Sequence, residues 1–133
     1  MTIYQRLALF LVPLARLDVR GTWRLLRAAG VARDTLWVGA PKVRGRGTAH
    51  GYLMELDLAN HHDRMTYFYG YYHERAVQLV MGASVQPGDT FVDVGANAGM
   101  ITLLAAALIG PNGRVLAFEP NPLAMTRLRS SVV

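Results

Sequence analysis

The chain has 133 residues, 52% of them hydrophobic, which suffices for a packed core and makes one domain the natural expectation. It has no cysteine, so a disulfide frame and a thiolate metal site are both excluded, and a reducing, cytoplasmic setting fits. The net charge of +5 is uneven: residues 1–50 carry nine Arg or Lys against Asp18 and Asp34, or +7, whereas residues 51–133 carry five against seven acids, or −2.

Ile3 to Leu17 has helical periodicity, with Leu7, Phe10, Leu11 and Leu14 on one face and a kink expected at Pro13. Its uncharged run, Leu7 to Ala15, is nine residues long, far short of the roughly 20 that span a bilayer. As a signal peptide it is poor: only Arg6 precedes the apolar run, and no small-x-small cleavage site follows. Arg20 to Ala29 reads as a second short helix closed by Gly30. A membrane-surface anchor is the weaker reading of this basic, apolar pair. A helical cap over a sheet, with the arginines in solvent, is preferred. No nucleic-acid-binding motif accompanies the charge, so a nucleic-acid partner is not expected.

Thr35 to Ala40 and Tyr52 to Leu58 read as strands, with Gly45-Arg46-Gly47 as turn material between them, which predicts a β-hairpin. His61-His62-Asp63 has no third ligand at helical or strand spacing and reads as a solvated loop rather than a metal site. Tyr67 to Tyr72 concentrates five of the aromatics; a packing wedge ahead of a helix over Glu74 to Met81 is preferred to an acceptor wall.

The most specific segment follows. Phe91-Val-Asp-Val94 is a strand bounded by Pro87-Gly88-Asp89 and Gly95. Gly95 and Gly99 would let the backbone approach a ligand where a Cβ would collide. Met100 to Ile109 is apolar nearly all round, as a helix packed on a sheet should be. Gly110-Pro-Asn-Gly113 stops it, Arg114 to Phe118 supplies the next strand, and Leu123 to Val133 begins another helix. Glu119 stands about where an α/β nucleotide site places its ribose-gripping acid. A dinucleotide turn would need Gly at 95, 97 and 100, but Asn97 and Met100 occupy the last two. Asp93 beside this turn would repel a phosphate and suits a ligand carrying an ammonium and a sulfonium, such as S-adenosylmethionine.

Val92-Asp-Val-Gly-Ala-Asn-Ala-Gly99, Gly110 to Pro122 (Gly-Pro-Asn-Gly-Arg-Val-Leu-Ala-Phe-Glu-Pro-Asn-Pro) and Pro87-Gly-Asp-Thr90 resemble the FkbM-type methyltransferase family. The resemblance is tight over Gln86 to Arg129 and looser over His50 to Val85. It implies an α/β, Rossmann-like class I fold, S-adenosylmethionine as cofactor, and O-methyl transfer to a hydroxyl of a sugar or secondary metabolite. By resemblance, Asp93 faces the methionine amino group, and Gly95, Ala96 and Gly99 form the backbone floor under the methionine tail with Asn97 beside it. Glu119 binds the ribose, and Pro120 and Asn121 follow the adenine edge. Residues 1–75 would then form an N-terminal segment of helices and hairpin, and residues 76–133 the front part of the cofactor domain. Such a domain has further strands and helices, so the chain reads as an incomplete methyltransferase fold, the general base lying outside it. The alternative is a non-catalytic remnant or binding module.

Overall fold

Thr2 opens the first helix, α1 (Ile3–Phe10), with a capping box: its hydroxyl accepts from the Gln5 amide, and the Gln5 side chain accepts from the Thr2 amide. Leu11 keeps a right-handed helical conformation, and α2 (Val12–Arg16) follows with Pro13 in its first turn, where a missing amide leaves no helical bond unmade. Two short helices therefore replace the kinked one expected. The computed structural model describes residues 1–17, 21–47, 50–70 and 75–131. Over these residues the protein is mixed α/β, with seven α-helices and two two-stranded sheets. The chain folds as two units, Met1–Gly45 with Leu56–His73, and Arg46–Glu55 with Glu74–Val133.

In the first unit the core gathers Ala8, Val12, Ala15, Leu26, Ala29, Val31, Trp37, Leu58 and Phe68. Helices α1 and α2 present Gln5, Ala8, Val12 and Ala15 inward, while Leu7, Phe10 and Leu14 are exposed. Of the four residues expected on one face, Leu11 packs against this core, whereas Leu7, Phe10 and Leu14 do not. Small side chains let the helix lie close to the core, and the Gln5 amide nitrogen holds it there by donating to the Leu36 carbonyl at 2.9 Å. Helix α3 (Thr22–Ala28) lies between Gly21 and Gly30, both at positive φ. Arg20, expected at its start, lies outside the described residues.

The strand expected over Thr35 to Ala40 does not form. Asp34–Leu36 is a 3-10 turn, and Gly39 takes φ +69°. Trp37 decides this: fully buried, it donates its indole N–H to the Gly30 carbonyl at 3.0 Å and packs edge-on against Phe68. Holding Trp37 that close to Gly30 requires a bend. The first strand is instead β1 (Lys42–Arg46), which absorbs Gly45 and Arg46 from the expected turn, and it joins β2 (Leu53–Asp57) in a sheet.

Asn60 caps α4 (His61–Tyr69), its side chain accepting from the amides of His62 and Asp63. His61 to Asp63 therefore form a first helical turn and not a loop. Phe68 is in the core, and Tyr67 packs against it; Tyr71 and Tyr72 of the aromatic run lie outside the described residues. Buried Arg64 donates to the carbonyls of Val31, Leu58 and Ala59 at 2.7, 2.8 and 3.3 Å and pairs with Asp34.

The second unit runs α5 (Arg75–Ser84), β3 (Thr90–Val94), α6 (Met100–Ile109), β4 (Arg114–Phe118) and α7 (Pro122–Ser131). Helix α5 extends past the expected Met81, and Glu74 lies outside the described residues. Strands β3 and β4 are parallel, with Phe91 opposite Val115, Asp93 opposite Ala117 and Val94 opposite Phe118. Phe91 and Val115 pack with Met81, Leu104 and Ala105, whereas Val92, Val94, Leu116 and Phe118 on the other face are exposed. At the far end, Gly113 passes so close to the Asp89 carbonyl that an added Cβ would stand 2.7 Å from it.

Candidate functional site

The carboxyl ends of β3 and β4 lie side by side, and the turn that leaves β3 is bonded to the end of β4. Gly95 N and Ala96 N both donate to the Phe118 carbonyl, at 2.8 and 3.0 Å. Gly95 takes φ +88° with open space where a Cβ would point, so conformation and not crowding demands glycine there. Gly99 takes φ +99°, and a Cβ on it would stand 2.3 Å from Leu128 Cδ1 of α7. Within the protein itself, then, Gly95 serves the turn and Gly99 the seating of α7. Among the described residues Asn97 is the one non-glycine at positive φ, +48°. Gly95 and Asn97 are exposed, and Ala96 and Ala98 between and after them are buried.

Glu119, directly after β4, ties this turn to the next. Its Oε2 accepts from Asn97 N and its Oε1 from Asn121 N, both at 2.8 Å. Asn121 in turn accepts the Leu123 amide on its side chain and so caps the start of α7. Pro120 lies exposed between the two. Asp93 points the opposite way from Val94, into the unit; it is buried, and the Thr102 hydroxyl of α6 donates to its Oδ2 at 2.5 Å. Thr102 was not singled out in the sequence. Its signal was there: a lone hydroxyl in the otherwise apolar run Met100 to Ile109.

The structure thus brings Asp93, Gly95, Ala96, Asn97, Gly99, Glu119 and Asn121 together at the ends of two adjacent parallel strands, the position where open α/β sheets bind ligands. Among the described residues neither Asp93 nor Glu119 forms an ion pair; Thr102 holds the first and two backbone amides the second. Each Glu119 oxygen accepts one amide and has capacity for a second donor.

Two other arrangements lack this combination. The groove at the opposite end of α6, lined by Tyr52, Ala106, Ala107, Ile109, Gly110, Pro111, Gly113 and Val115, has no carboxylate or cation. In the first unit His61 Nδ1 and Arg64 bond to Asp34, the His61 contact at 3.0 Å, and these bonds hold the Asp34 carboxyl below its ordinary range. Among the described residues no three His, Asp or Glu side chains group as a metal site, and no helix is long and apolar enough to cross a membrane.

No protein-family model matches the chain, and no solved structure matches it. Curated proteins are similar to parts of it, two methyltransferases among them. The chain is 46% identical over 52 residues to 31-O-demethyl-FK506 methyltransferase FkbM of Streptomyces tacrolimicus, a match covering 39% of this chain and 20% of that protein. It is 36% identical over 50 residues to an arsenite methyltransferase of Halobacterium salinarum, covering 38% of this chain and 13% of that protein. Each match is partial on both sides, and both relatives are methyltransferases.

Proposed function

We propose that this chain carries the cofactor-binding front of an S-adenosylmethionine-dependent methyltransferase of the Rossmann-like class I type. The observation that carries the reading is the pair of carboxylates, Asp93 and Glu119, without cationic partners among the described residues, at a positive-φ glycine turn where two parallel strands end. A phosphate-bearing dinucleotide would meet repulsion there, whereas a ligand with an ammonium, a sulfonium and one ribose matches the charge and the donors.

The residues divide the work. Thr102 fixes the Asp93 side chain through Oδ2, and Oδ1 is then the oxygen to receive the methionine ammonium. Gly95, Ala96, Asn97 and Gly99 shape the floor beneath the methionine tail. The backbone amides of Asn97 and Asn121 hold the Glu119 carboxylate, leaving its remaining lone pairs for the two ribose hydroxyls. Pro120 and Asn121 line the adenine side. S-adenosylmethionine supplies an electrophilic methyl on sulfur, open to in-line attack by an acceptor hydroxyl; the protein's part is alignment. The partial likeness to FkbM supports hydroxyl oxygen as the acceptor, on a sugar or secondary metabolite.

Calorimetric titration tests the reading. S-adenosylmethionine and its demethylated product should bind and NAD should not. Tighter NAD binding, or no binding of either methionine-derived ligand, would overturn it.

A further inference from the structure

The N-terminal helices bury the wrong side for a protein surrounded only by water. Ile3, Leu7, Phe10, Leu14 and Leu17 fall at intervals of three and four residues and form one stripe, since the helical conformation of Leu11 carries the face of α1 on into α2. These five are 73%, 52%, 81%, 37% and 69% exposed, while the small or polar Gln5, Ala8, Val12 and Ala15 on the opposite side are buried. Exposing a continuous stripe of large apolar residues carries a hydrophobic penalty that a partner surface would remove.

Charge names the partner. The stripe belongs to the part of the chain with nine cationic residues against two acids, and Arg6 is exposed beside it. Helix α3, which packs against α2, adds a half-exposed Trp23 whose ring lies 5.5 and 5.6 Å from the guanidinium carbons of Arg24 and Arg27. An indole between arginines is suited to the boundary where hydrocarbon meets charged headgroups. A symmetric pairing of two copies through this face would bring the arginines of both into one interface, like charge toward like charge, which disfavours self-association. We infer that α1 to α3 form a docking face for an anionic lipid surface, with Ile3, Leu7, Phe10, Leu14 and Leu17 entering the acyl boundary and Arg6, Arg24 and Arg27 at the headgroups. The attachment is peripheral, along the helix and not across the bilayer.

Flotation of the full chain with vesicles of phosphatidylcholine, alone or with one third phosphatidylserine, tests this. Binding is expected to the acidic vesicles and to be released by half-molar sodium chloride. Phe10→Asp should weaken it about tenfold or more, and Arg24→Gln with Arg27→Gln by about fivefold per charge removed. Both variants change exposed residues, so their circular dichroism should match wild type. Trp37 is fully buried, so quenching by brominated lipid reads Trp23 and gives insertion a separate signal. Absence of flotation, or equal binding to neutral and acidic vesicles, would overturn the inference. So would self-association that Phe10→Asp abolishes without any vesicle binding, which would assign the face to a second copy of the chain.

Discussion

Glu119 and Asn97, 22 residues apart, are joined by a 2.8 Å hydrogen bond from the Asn97 amide to the Glu119 carboxylate. This bond holds together two segments that the sequence presents separately, the glycine turn after β3 and the acid after β4. Because the same carboxylate also accepts from Asn121, Glu119 both organises the site and, in the function proposed, binds ribose. Glu119→Ala should therefore weaken S-adenosylmethionine binding by about 3 kcal/mol, roughly a hundredfold, through loss of two charge-assisted bonds to the ribose. It should also lower the melting temperature, since two backbone amides lose their acceptor. Glu119→Gln keeps one acceptor oxygen and should be milder in both. Calorimetry and thermal unfolding read the two effects separately, and an unchanged affinity in the Ala variant would leave Glu119 a structural role only.

The two glycines should separate by stability. Gly95→Ala meets only an unfavourable φ, worth about 1 kcal/mol. Gly99→Ala meets that strain and the tip of the buried Leu128 side chain, which must shift, adding about 1 kcal/mol, the low end for overpacking. Urea unfolding should rank Gly99→Ala as the worse. Shortening Leu128 to Ala in the Gly99→Ala background should recover part of the loss by making room for the new Cβ. Equal effects at both positions would show that Leu128 does not set the constraint.

Thr102→Val replaces the hydroxyl that bonds Asp93 with a methyl of similar shape. A buried carboxylate losing one donor should destabilise the protein by about 1–3 kcal/mol. Thr102→Ser should retain most of the bond. If Thr102 positions Asp93 for the cofactor, Thr102→Val should also weaken S-adenosylmethionine binding, and Thr102→Ser should restore it. A stability loss with unchanged affinity would confine Thr102 to the fold.

The strand–turn–helix–strand of the second unit was legible because its signals are local: apolar β-formers, a glycine turn, an apolar helix and a Gly-Pro stop lie in sequence order. The extended reading of Thr35 to Ala40 failed because Trp37 bonds to Gly30 and packs on Phe68, contacts with no trace in the local pattern. Likewise Leu7, Phe10 and Leu14 share one face but Leu11, grouped with them, packs on the core, and periodicity identifies a face without saying which way it points. Thr102 was missed because a single threonine in an apolar helix has a bland reading until Asp93 is seen beside it.

Arg64 illustrates a buried charge held by carbonyls. It is fully buried, with three backbone acceptors, the Asp34 carboxylate, and the Trp37 ring 5.4 Å from its guanidinium carbon. Arg64→Met would fill much of the volume but leave the buried carbonyls of Val31 and Leu58 without this donor, so a loss of about 1–3 kcal/mol for each is expected, while the exposed Asp34 keeps His61. Arg64→Lys keeps the charge but not the planar fork, and should recover only part of it. Denaturant midpoints for the two variants test this, and a full recovery by Lys would mean that charge alone suffices.

His50 is 8% exposed; its ring packs so tightly on Gly47 that a Cβ there would stand 2.2 Å from Nε2, and its Nδ1 accepts the Tyr52 amide at 3.0 Å. Burial lowers its pKa below the ordinary 6.5. The folded protein thus holds His50 neutral to a lower pH than the unfolded chain does. The stability this gives is complete above the unfolded value and is lost as pH falls through the folded one, because the unfolded state binds the proton first. Protonation would in addition remove the acceptor that Tyr52 uses. Asp34 is also depressed, but from an ordinary value of 3.8, so its contribution is lost in a separate, more acidic window. Urea midpoints measured from about pH 7.5 down to about 5 should therefore fall in wild type, by at most about 1.4 kcal/mol per pH unit for one proton. His50→Asn offers an oxygen near the Nδ1 position and does not titrate, so its midpoints should fall less over the same range. Identical slopes in the two proteins would mean that another group sets the acid sensitivity.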